Sequence, residues 1–169
     1  TGYVTENYSG WGNFPLFFFL ILMFIGGCAG STTCGIKIFR VQILYQFFSN
    51  QIKKIIYPHG VFNMKYEKQN IDEKFMSSVI SFIYLYFIIF FIVTSLLTIN
   101  GLDIVSALSA AATAISNVGP GLGDTIGPNG NFAEISNNSK WVLSFAMILG
   151  RLELFAILVL FIPSFWRKF

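Results

Sequence analysis

Charged side chains are scarce in this sequence: Lys, Arg, Asp and Glu together make up 11% of its 169 residues. Soluble globular domains usually carry about 25% charged residues. Hydrophobic residues make up 54% of the chain, include 20 Phe, and occur in long blocks. This composition excludes an ordinary soluble domain and indicates an integral membrane protein.

Residues that usually hold metal ions or perform catalysis are also few. The only histidine, His59, follows Pro58 in a polar stretch, where a solvated side chain is far more common than a ligand. Cys28 and Cys34 lie in or beside an apolar segment, without the clustered Cys and His ligands of a zinc site. We interpret them as small buried thiols. The apolar spans contain no Ser/His or paired-Asp arrangement, so we predict neither an enzyme nor a bound cofactor.

The start of the sequence has neither an initiating Met nor the basic region of a signal peptide. We interpret the sequence as a segment that begins inside a longer protein. Its net charge of +3 does not predict a nucleic-acid partner, because the basic residues lie where membrane topology would place them.

Four stretches follow the outer segment 1–13. The first, 14–49, is apolar but is interrupted at 26–35 by glycines and hydroxyl residues, which predicts a broken membrane helix. The second, 50–74, is polar. The third, 75–99, is uncharged and long enough to cross a bilayer. The fourth, 141–165, has a Trp at each end, as in the aromatic belts at membrane surfaces.

The distribution of charge sets the orientation. Basic residues outnumber acidic ones between residues 37 and 74, with Lys37, Arg40, Lys53, Lys54, Lys65, Lys68 and Lys74 against Glu67, Asp72 and Glu73. The positive-inside rule makes this stretch cytoplasmic. Arg167 and Lys168 place the end of the chain on the same side, so the residues between the last two apolar stretches lie outside.

The segment 103–121 carries the strongest signal. Residues 103–115 predict a helix about 20 Å long at about 1.5 Å per residue, which is too short to cross a hydrocarbon core of about 30 Å. The turn 116–121 contains Gly119, whose backbone is unusually free, and Pro120, which has no N–H. Non-helical backbone at membrane depth must be buried in protein or line a watery cavity, as in ion-selectivity filters. The pattern predicts a pore, with an ordinary Gly/Pro-rich outer loop as the alternative.

Charged residues at three positions bear on the same interpretation. Asp103 stands where an N-cap is expected, and the far end of the short helix carries about half a negative charge, which stabilises a cation. Arg151 and Glu153 interrupt the last apolar span, where each charge costs at least about 2.5–3.5 kcal/mol and is functional by default. At this spacing they face different partners. For both Arg151 and Glu153, a functional role and a packing ion pair with another helix are the two interpretations.

Several motifs occur in order along the chain, namely GGCAGST at 26–32, GIK at 35–37, NVGPGLG at 117–123, LGRLELF at 149–155 and PSFWR at 163–167. In this combination the sequence closely resembles the C-terminal part of Trk-type potassium-uptake proteins, of the Trk/Ktr cation transporter family. The resemblance implies an all-α integral membrane fold. In that fold, repeats of membrane helix, pore loop and membrane helix surround one pore, as in K⁺ channels.

The resemblance assigns residues 1–13 to the end of the third pore loop and its outer segment, 14–49 to the second helix of that repeat, and 75–169 to the fourth repeat. The cytoplasmic loop 50–74 joins the two repeats. It implies that backbone carbonyls near Gly2 and Val118–Gly119 coordinate K⁺. The filter residues would be Thr1, Gly2, Tyr3, Asn117, Val118, Gly119 and Pro120.

The same resemblance assigns 26–35 to an intramembrane loop that obstructs the pore below the filter and acts as its gate. Arg151 would project toward this loop from the last helix. The gate residues of the loop would be Gly26, Gly27, Gly30, Ser31, Thr32, Thr33 and Gly35. The family usually has a run of glycines before the Ile-Lys pair, whereas Thr32, Thr33 and Cys34 stand here. These bulkier residues should stiffen the loop.

We therefore expect potassium uptake across a bacterial inner membrane, without covalent chemistry. The implied partners are the lipid bilayer, a second copy in a homodimer, and a cytoplasmic nucleotide-binding regulatory subunit. The preference for K⁺ over Na⁺ and any coupling to H⁺ or Na⁺ stay open. A secondary transporter that binds a small solute at broken helices is the alternative. It shares the interrupted helix but does not need the short helix with its Gly-Pro turn.

Overall fold

The computed structural model describes residues 3–60, 62, 65–66, 69–123, 125–152, 159 and 163–166. A short 3₁₀ helix, Tyr8–Trp11, comes first. The helices and strands after it are α1 (Asn13–Phe24), α2 (Ile38–Ile56), β1 (Lys65–Tyr66), β2 (Gln69–Asn70), α3 (Glu73–Ile99), α4 (Ile104–Ser116), α5 (Asn137–Arg151) and α6 (Pro163–Trp166). The two strands form one short antiparallel pair, and everything else regular in the described part is helical, as the predicted all-α fold requires.

Within the described part, α3 is the one helix long and apolar enough to cross a membrane. Its apolar portion, Lys74–Ile99, has 26 residues and at about 1.5 Å per residue is about 39 Å long, enough to cross a hydrocarbon core of about 30 Å. Helices α1 and α4 are apolar but short, with 12 and 13 residues. Neither of them is long enough to cross a layer of that thickness.

Helix α4 lies at the centre of the structure, packed against α1, α3 and α5. Its side chains are small, and nearly all are buried from Ser106 to Ser116. Small side chains let neighbouring helices approach closely in membrane proteins. Helix α5 approaches α4 closely at Gly150, where an added Cβ would collide with the carbonyl of Ile115. The Ala- and Ser-rich sequence thus places a short helix among three others.

Helix α2 extends to Ile56, beyond the boundary at residue 49 between the predicted membrane helix and the predicted polar loop. Lys53 and Lys54 lie in its last turn, where positive charge stabilises the negative end of a helix. The polar composition of residues 50–56 therefore does not mark a loop. These residues form the end of a helix whose polar side chains include the two lysines.

Helix α5 begins at Asn137 rather than at the predicted residue 141. The reason is a cap: the Ser136 hydroxyl accepts a hydrogen bond from the Ser139 N–H at 3.2 Å. The helix ends at Arg151, well before the predicted end at residue 165. Residues 153–158 lie outside the described part of the chain, and α6 starts at Pro163, a residue suited to a first helical turn.

Candidate filter turn and intramembrane loop

The N-terminus of α4 is capped by Asp103, as its position in the sequence predicted. Its carboxylate accepts a hydrogen bond from the Ser106 N–H at 3.1 Å. The hydrogen bond from Ser106 lowers the pKa of Asp103, so the cap is ionised at neutral pH. A negative charge there stabilises the positive end of the helix. The opposite end, near Ser116, carries the negative partial charge.

The chain leaves α4 through Asn117, which adopts left-handed backbone angles with φ 52° and ψ 44°. Asn tolerates this region better than most residues with a side chain. Its side-chain amide also donates a hydrogen bond to the Met147 carbonyl of α5 at 3.1 Å. Asn117 therefore sets the direction of the turn and ties it to the neighbouring helix.

The next two backbone amides point back toward α4. The Val118 N–H donates to the Thr113 carbonyl at 3.0 Å, and the Gly119 N–H donates to the Thr113 hydroxyl at 2.8 Å. The peptide bonds here are trans, so each C=O points opposite to the N–H of the same peptide plane. The carbonyls of Asn117 and Val118 consequently point away from α4.

Beyond this turn the backbone is held by other groups. Gly119 has φ 121°, a conformation that favours glycine. Leu122 donates its N–H to the Ser109 hydroxyl at 2.9 Å. The Gly121 carbonyl accepts a hydrogen bond from the Tyr8 hydroxyl at 3.1 Å. Burial raises the pKa of Tyr8, so this hydroxyl stays protonated at neutral pH. The Gly121 carbonyl is thus paired with Tyr8. The two carbonyls that point away from α4, those of Asn117 and Val118, come earlier in the chain.

The structure brings two of the predicted filter segments to one cavity. A cavity of about 500 Å³ is lined by Tyr3 and the residues after it together with Val118 and Pro120. Tyr3 itself is highly exposed, at 93%. Thr1 and Gly2, the other residues predicted from the third pore loop, lie outside the described residues. In the described residues, the segment that begins at Tyr3 and the segment 118–120 therefore line the same cavity.

The interruption between α1 and α2 is a closed loop with a paired neck. Gly26 donates its N–H to the Ile36 carbonyl at 2.9 Å, and Ile36 donates to the Phe24 carbonyl at 2.9 Å. One step further, Ile38 donates to the Gly27 carbonyl at 3.1 Å. Gly35 has φ 82°, which glycine adopts readily. These bonds fix both ends of the loop and leave residues 28–34 projecting from the neck.

Hydroxyl side chains link the inside of this loop. The Gly27 N–H donates to the Thr33 hydroxyl at 2.9 Å, and the Thr33 N–H donates to the Ser31 hydroxyl at 3.2 Å. Gly30 has open space around its Cα. The Thr33 side chain thus forms a bridge that a glycine would not form, which agrees with the expected stiffening.

Arg151, at the end of α5, reaches the loop. Its guanidinium donates to the Thr32 carbonyl at 2.6 Å and lies 3.7 Å from the Cys34 sulfur. The predicted approach of Arg151 to the loop is therefore observed. Glu153 lies outside the described residues.

The cysteines differ from their prediction as buried thiols. Cys28 is exposed and Cys34 is partly exposed, because both belong to the projecting part of the loop and not to a packed helix. The prediction of buried thiols was wrong. Within the described residues, no group of three or more His, Cys, Asp and Glu side chains is suited to a metal ion.

One cavity joins the loop to the end of α4. It measures about 380 Å³, and its lining includes Gly26, Thr33, Arg151 and the segment 116–118. A cation in this space would meet the C-terminal end of α4, where backbone carbonyls carry partial negative charge. The loop and Arg151 line the same space.

Several residues of this site were not predicted as functional. Thr113 and Ser109 hold the turn after α4, and Tyr8 holds the Gly121 carbonyl. In a helix rich in Ala and Ser, hydroxyl side chains are typical of close helix packing. The sequence therefore indicates packing, and it does not predict the hydrogen bonds of Thr113 and Ser109 to the turn. Their spacing was a signal, because the hydroxyl residues of α4 recur every three or four positions and so share one helix face.

Comparison with known proteins places the chain in a family. The family described as "TrkH: Cation transport protein" matches residues 1–168. The chain belongs to this family. It is 44% identical over 168 residues to the Trk system potassium uptake protein TrkI of Halomonas elongata, covering 99% of this chain and 34% of that protein. It is 35% identical over 170 residues to the Trk system potassium uptake protein TrkH of Salmonella typhimurium, with 99% and 34% covered.

A solved structure supports the same relationship. The crystal structure of the potassium transporter TrkH from Vibrio parahaemolyticus superimposes with a TM-score of 0.88 at 34% sequence identity. The match covers 98% of this chain and 35% of that chain. The chain thus spans about a third of the length of the TrkH-family relatives it matches and shares their all-α membrane fold. Those relatives are named for potassium uptake, not for an enzymatic reaction.

Proposed function

We propose that this chain forms part of a potassium uptake pathway, in which segment 117–120 is one strand of the selectivity filter. The observation that carries the proposal is the turn after α4. Its amides bond to Thr113, so the carbonyls of Asn117 and Val118 point away from the helix. Carbonyl oxygens that replace the hydration shell of K⁺ are the basis of such filters.

The chemistry of the site suits a weakly bound, moving cation. Backbone carbonyls are neutral, so they attract a cation without the tight binding that a carboxylate would add. The C-terminal end of α4 adds a favourable field in the cavity below. Potassium would be coordinated near Val118–Gly119, and Thr1, Gly2 and Tyr3 would supply a second strand.

The loop 26–35 is the proposed gate. It lies across the cavity below segment 116–118, and Arg151 holds it by a hydrogen bond to the Thr32 carbonyl. Loss of that bond frees the projecting part of the loop while the paired neck stays fixed. Arg151 therefore controls how often the pathway opens, not which ion it prefers.

The location and partners follow from the charge distribution and the resemblance. We place the protein in a bacterial inner membrane with the C-terminus in the cytoplasm, because the basic segment 37–74 belongs on the cytoplasmic side. The proposed partners are a second copy of the protein in a homodimer and a cytoplasmic nucleotide-binding regulatory subunit. The lipid bilayer surrounds the exposed apolar faces.

Rubidium uptake by the full-length parent protein tests the proposal. The host cells lack their own potassium uptake systems, and wild type is compared with Gly119→Asp and Arg151→Ala at matched expression. We expect Gly119→Asp to abolish uptake or its selectivity, since a bulky charged side chain enters the turn at φ 121°. Arg151→Ala should change the rate and keep the selectivity.

Gly101→Asp is the matched control. Gly101 also has a positive φ, 93°, but lies in the outer turn between α3 and α4 with open space around it. It should transport like wild type. Unchanged uptake and selectivity in Gly119→Asp would make segment 117–120 an ordinary outer loop. Saturable uptake of an organic solute that is indifferent to Gly119 would favour a secondary transporter with broken helices.

A further inference from the structure

One face of α4 carries a row of buried hydroxyl groups. Their exposed fractions are 1% for Ser106, 0% for Ser109, 3% for Thr113 and 6% for Ser116. The spacing of three, four and three residues places them on one side of a helix with 3.6 residues per turn. Buried hydroxyls need hydrogen-bond partners, and each of these finds one outside its own helix.

Three of the partners lie along the chain after α4, and the fourth lies on α3. Ser116 bonds to the Tyr86 hydroxyl of α3 at 2.7 Å, at the inner end of the row. Thr113 accepts from the Gly119 N–H, and Ser109 accepts from the Leu122 N–H at 2.9 Å. Ser106 bonds to the Thr125 hydroxyl at 3.0 Å, at the outer end. Three of the four hydroxyls, those of Thr113, Ser109 and Ser106, thus hold the returning chain against α4, whereas Ser116 ties α4 to α3.

Thr113 has a special position in this row, because it holds two consecutive amides. Its carbonyl accepts from Val118 and its hydroxyl accepts from Gly119. The first bond is made by backbone and would survive any substitution. The second depends on the side chain, and it fixes the peptide plane between Val118 and Gly119.

That peptide plane needs a constraint. Gly119 has no Cβ and can adopt both signs of φ at little cost, so the plane before it can rotate. Rotation would turn the Val118 carbonyl toward α4 and the N–H toward the cavity. A donor facing the cavity repels a cation, whereas a carbonyl attracts it.

We propose that Thr113 is a positioning residue that determines ion selectivity, because its hydroxyl holds the Gly119 N–H and so directs the Val118 carbonyl into the pathway. The proposal rests on the function proposed above for segment 117–120. Thr113 does not touch the ion. It acts by fixing the geometry of the coordinating carbonyl, on which discrimination between K⁺ and Na⁺ depends.

The test compares variants at position 113 in the full-length parent protein, reconstituted in liposomes. Thr113→Val keeps the β-branched shape and removes the hydroxyl, while Thr113→Ser keeps the hydroxyl. The control is Thr94→Val, which removes a hydroxyl that donates to the Phe90 carbonyl of its own helix at 2.9 Å. The readout is rubidium-86 uptake and its inhibition by Na⁺ relative to K⁺.

We expect Thr113→Val to lose selectivity for K⁺ over Na⁺ by about tenfold, the effect of losing one hydrogen bond of about 1.4 kcal/mol. Thr113→Ser and Thr94→Val should stay within about twofold of wild type, because the Gly119 amide keeps its partner in both. A general loss of stability would lower uptake without changing this ratio. Restored selectivity in the Ser variant would therefore separate positioning from packing.

Wild-type selectivity in Thr113→Val would overturn the inference while leaving the proposed filter intact. If Thr113→Val is not recovered as a monodisperse protein, Thr113→Ala decides by the same ratio, since a smaller side chain also lacks the hydroxyl. Alanine is smaller than threonine and therefore introduces no clash. Position 113 already borders a cavity of about 390 Å³, which Gly119 also lines. Wild-type protein that takes up no rubidium would instead overturn the proposed function itself.

Discussion

Single side chains hold the intramembrane loop in the observed position. Thr33 bonds to the Gly27 amide from inside the loop, and Arg151 bonds to the Thr32 carbonyl from outside it. The two contacts restrain the same short segment from different elements. Because the planar guanidinium of Arg151 presents several N–H donors in a fixed geometry, the outer contact is directional.

Thr33→Gly should loosen the loop. It removes the bridge to Gly27 while the paired neck remains, so the loop should leave the pathway more often. We expect rubidium uptake by the full-length protein to rise about two- to tenfold, which corresponds to one lost hydrogen bond, with unchanged selectivity. Thr33→Ser keeps the hydroxyl and should behave like wild type. Uptake that falls in Thr33→Gly, at equal protein in the membrane, would contradict a gating role.

The residues of the site differ in how far the sequence predicts them. Asp103 and Arg151 are visible in the sequence, because a carboxylate directly before a helix usually caps it and a charge within an apolar span is usually functional. Thr113 and Tyr8 are not visible in this way. Their roles depend on which backbone group comes within hydrogen-bond distance, and only the path of the chain after α4 decides that.

Among the elements, α4 is the one on which the arrangement depends. It is short, almost fully buried, and made of small residues. Side chains as small as Ala bury little area themselves, so their value lies in letting α3 and α5 come close. The end of α4, from which the turn leaves, consequently lies in close backbone contact with α5 at Gly150.

Gly150→Ala tests this packing. The added methyl group would collide with the Ile115 carbonyl, one residue before the end of α4. We expect the protein to lose about 1–3 kcal/mol of stability, as in other overpacked sites, seen as a lower melting temperature of the purified full-length protein. Gly10→Ala is the control, since nothing lies within 4 Å of an added Cβ there. Equal melting temperatures for the two variants would contradict close packing of α5 on α4.

The ends of the helices differ in how well the sequence predicts them. The short helix is predicted at 103–115 and lies at Ile104–Ser116, because its cap and its terminal glycines are strong local signals. Helices α2 and α5 extend into stretches whose polarity is atypical of a membrane helix. A helix that leaves the membrane can continue into water. Hydropathy marks the membrane boundary and not the end of the helix.

At the scale of the molecule, the outer faces are strongly apolar. Phe14, Tyr84, Ile99 and Trp141 are each at least 70% exposed, within a larger set of exposed apolar side chains. So many large exposed apolar side chains are unusual on a soluble monomer and indicate contact with lipid or with other protein. The family membership accounts for it, since this chain corresponds to about a third of its relatives' length.

The arrangement of short and long helices also has a meaning at this scale. Helix α3 is long enough to cross a membrane, whereas α1 and α4 are too short to cross one and lead into the loop and the turn. The irregular backbone of the loop and that of the turn line one cavity. Irregular backbone at membrane depth is tolerated where protein shields it or where it lines water, which is the setting that the proposed ion pathway requires.

The most direct test of this account is the ion preference of the purified full-length protein in liposomes, with wild type and Gly119→Ala compared. The account predicts that K⁺ competes with rubidium-86 far better than Na⁺ in wild type, and that Gly119→Ala loses this preference. Alanine is strained at φ 121° and so displaces the Val118 carbonyl. An unchanged preference for K⁺ in Gly119→Ala would contradict the assignment of this turn to the filter.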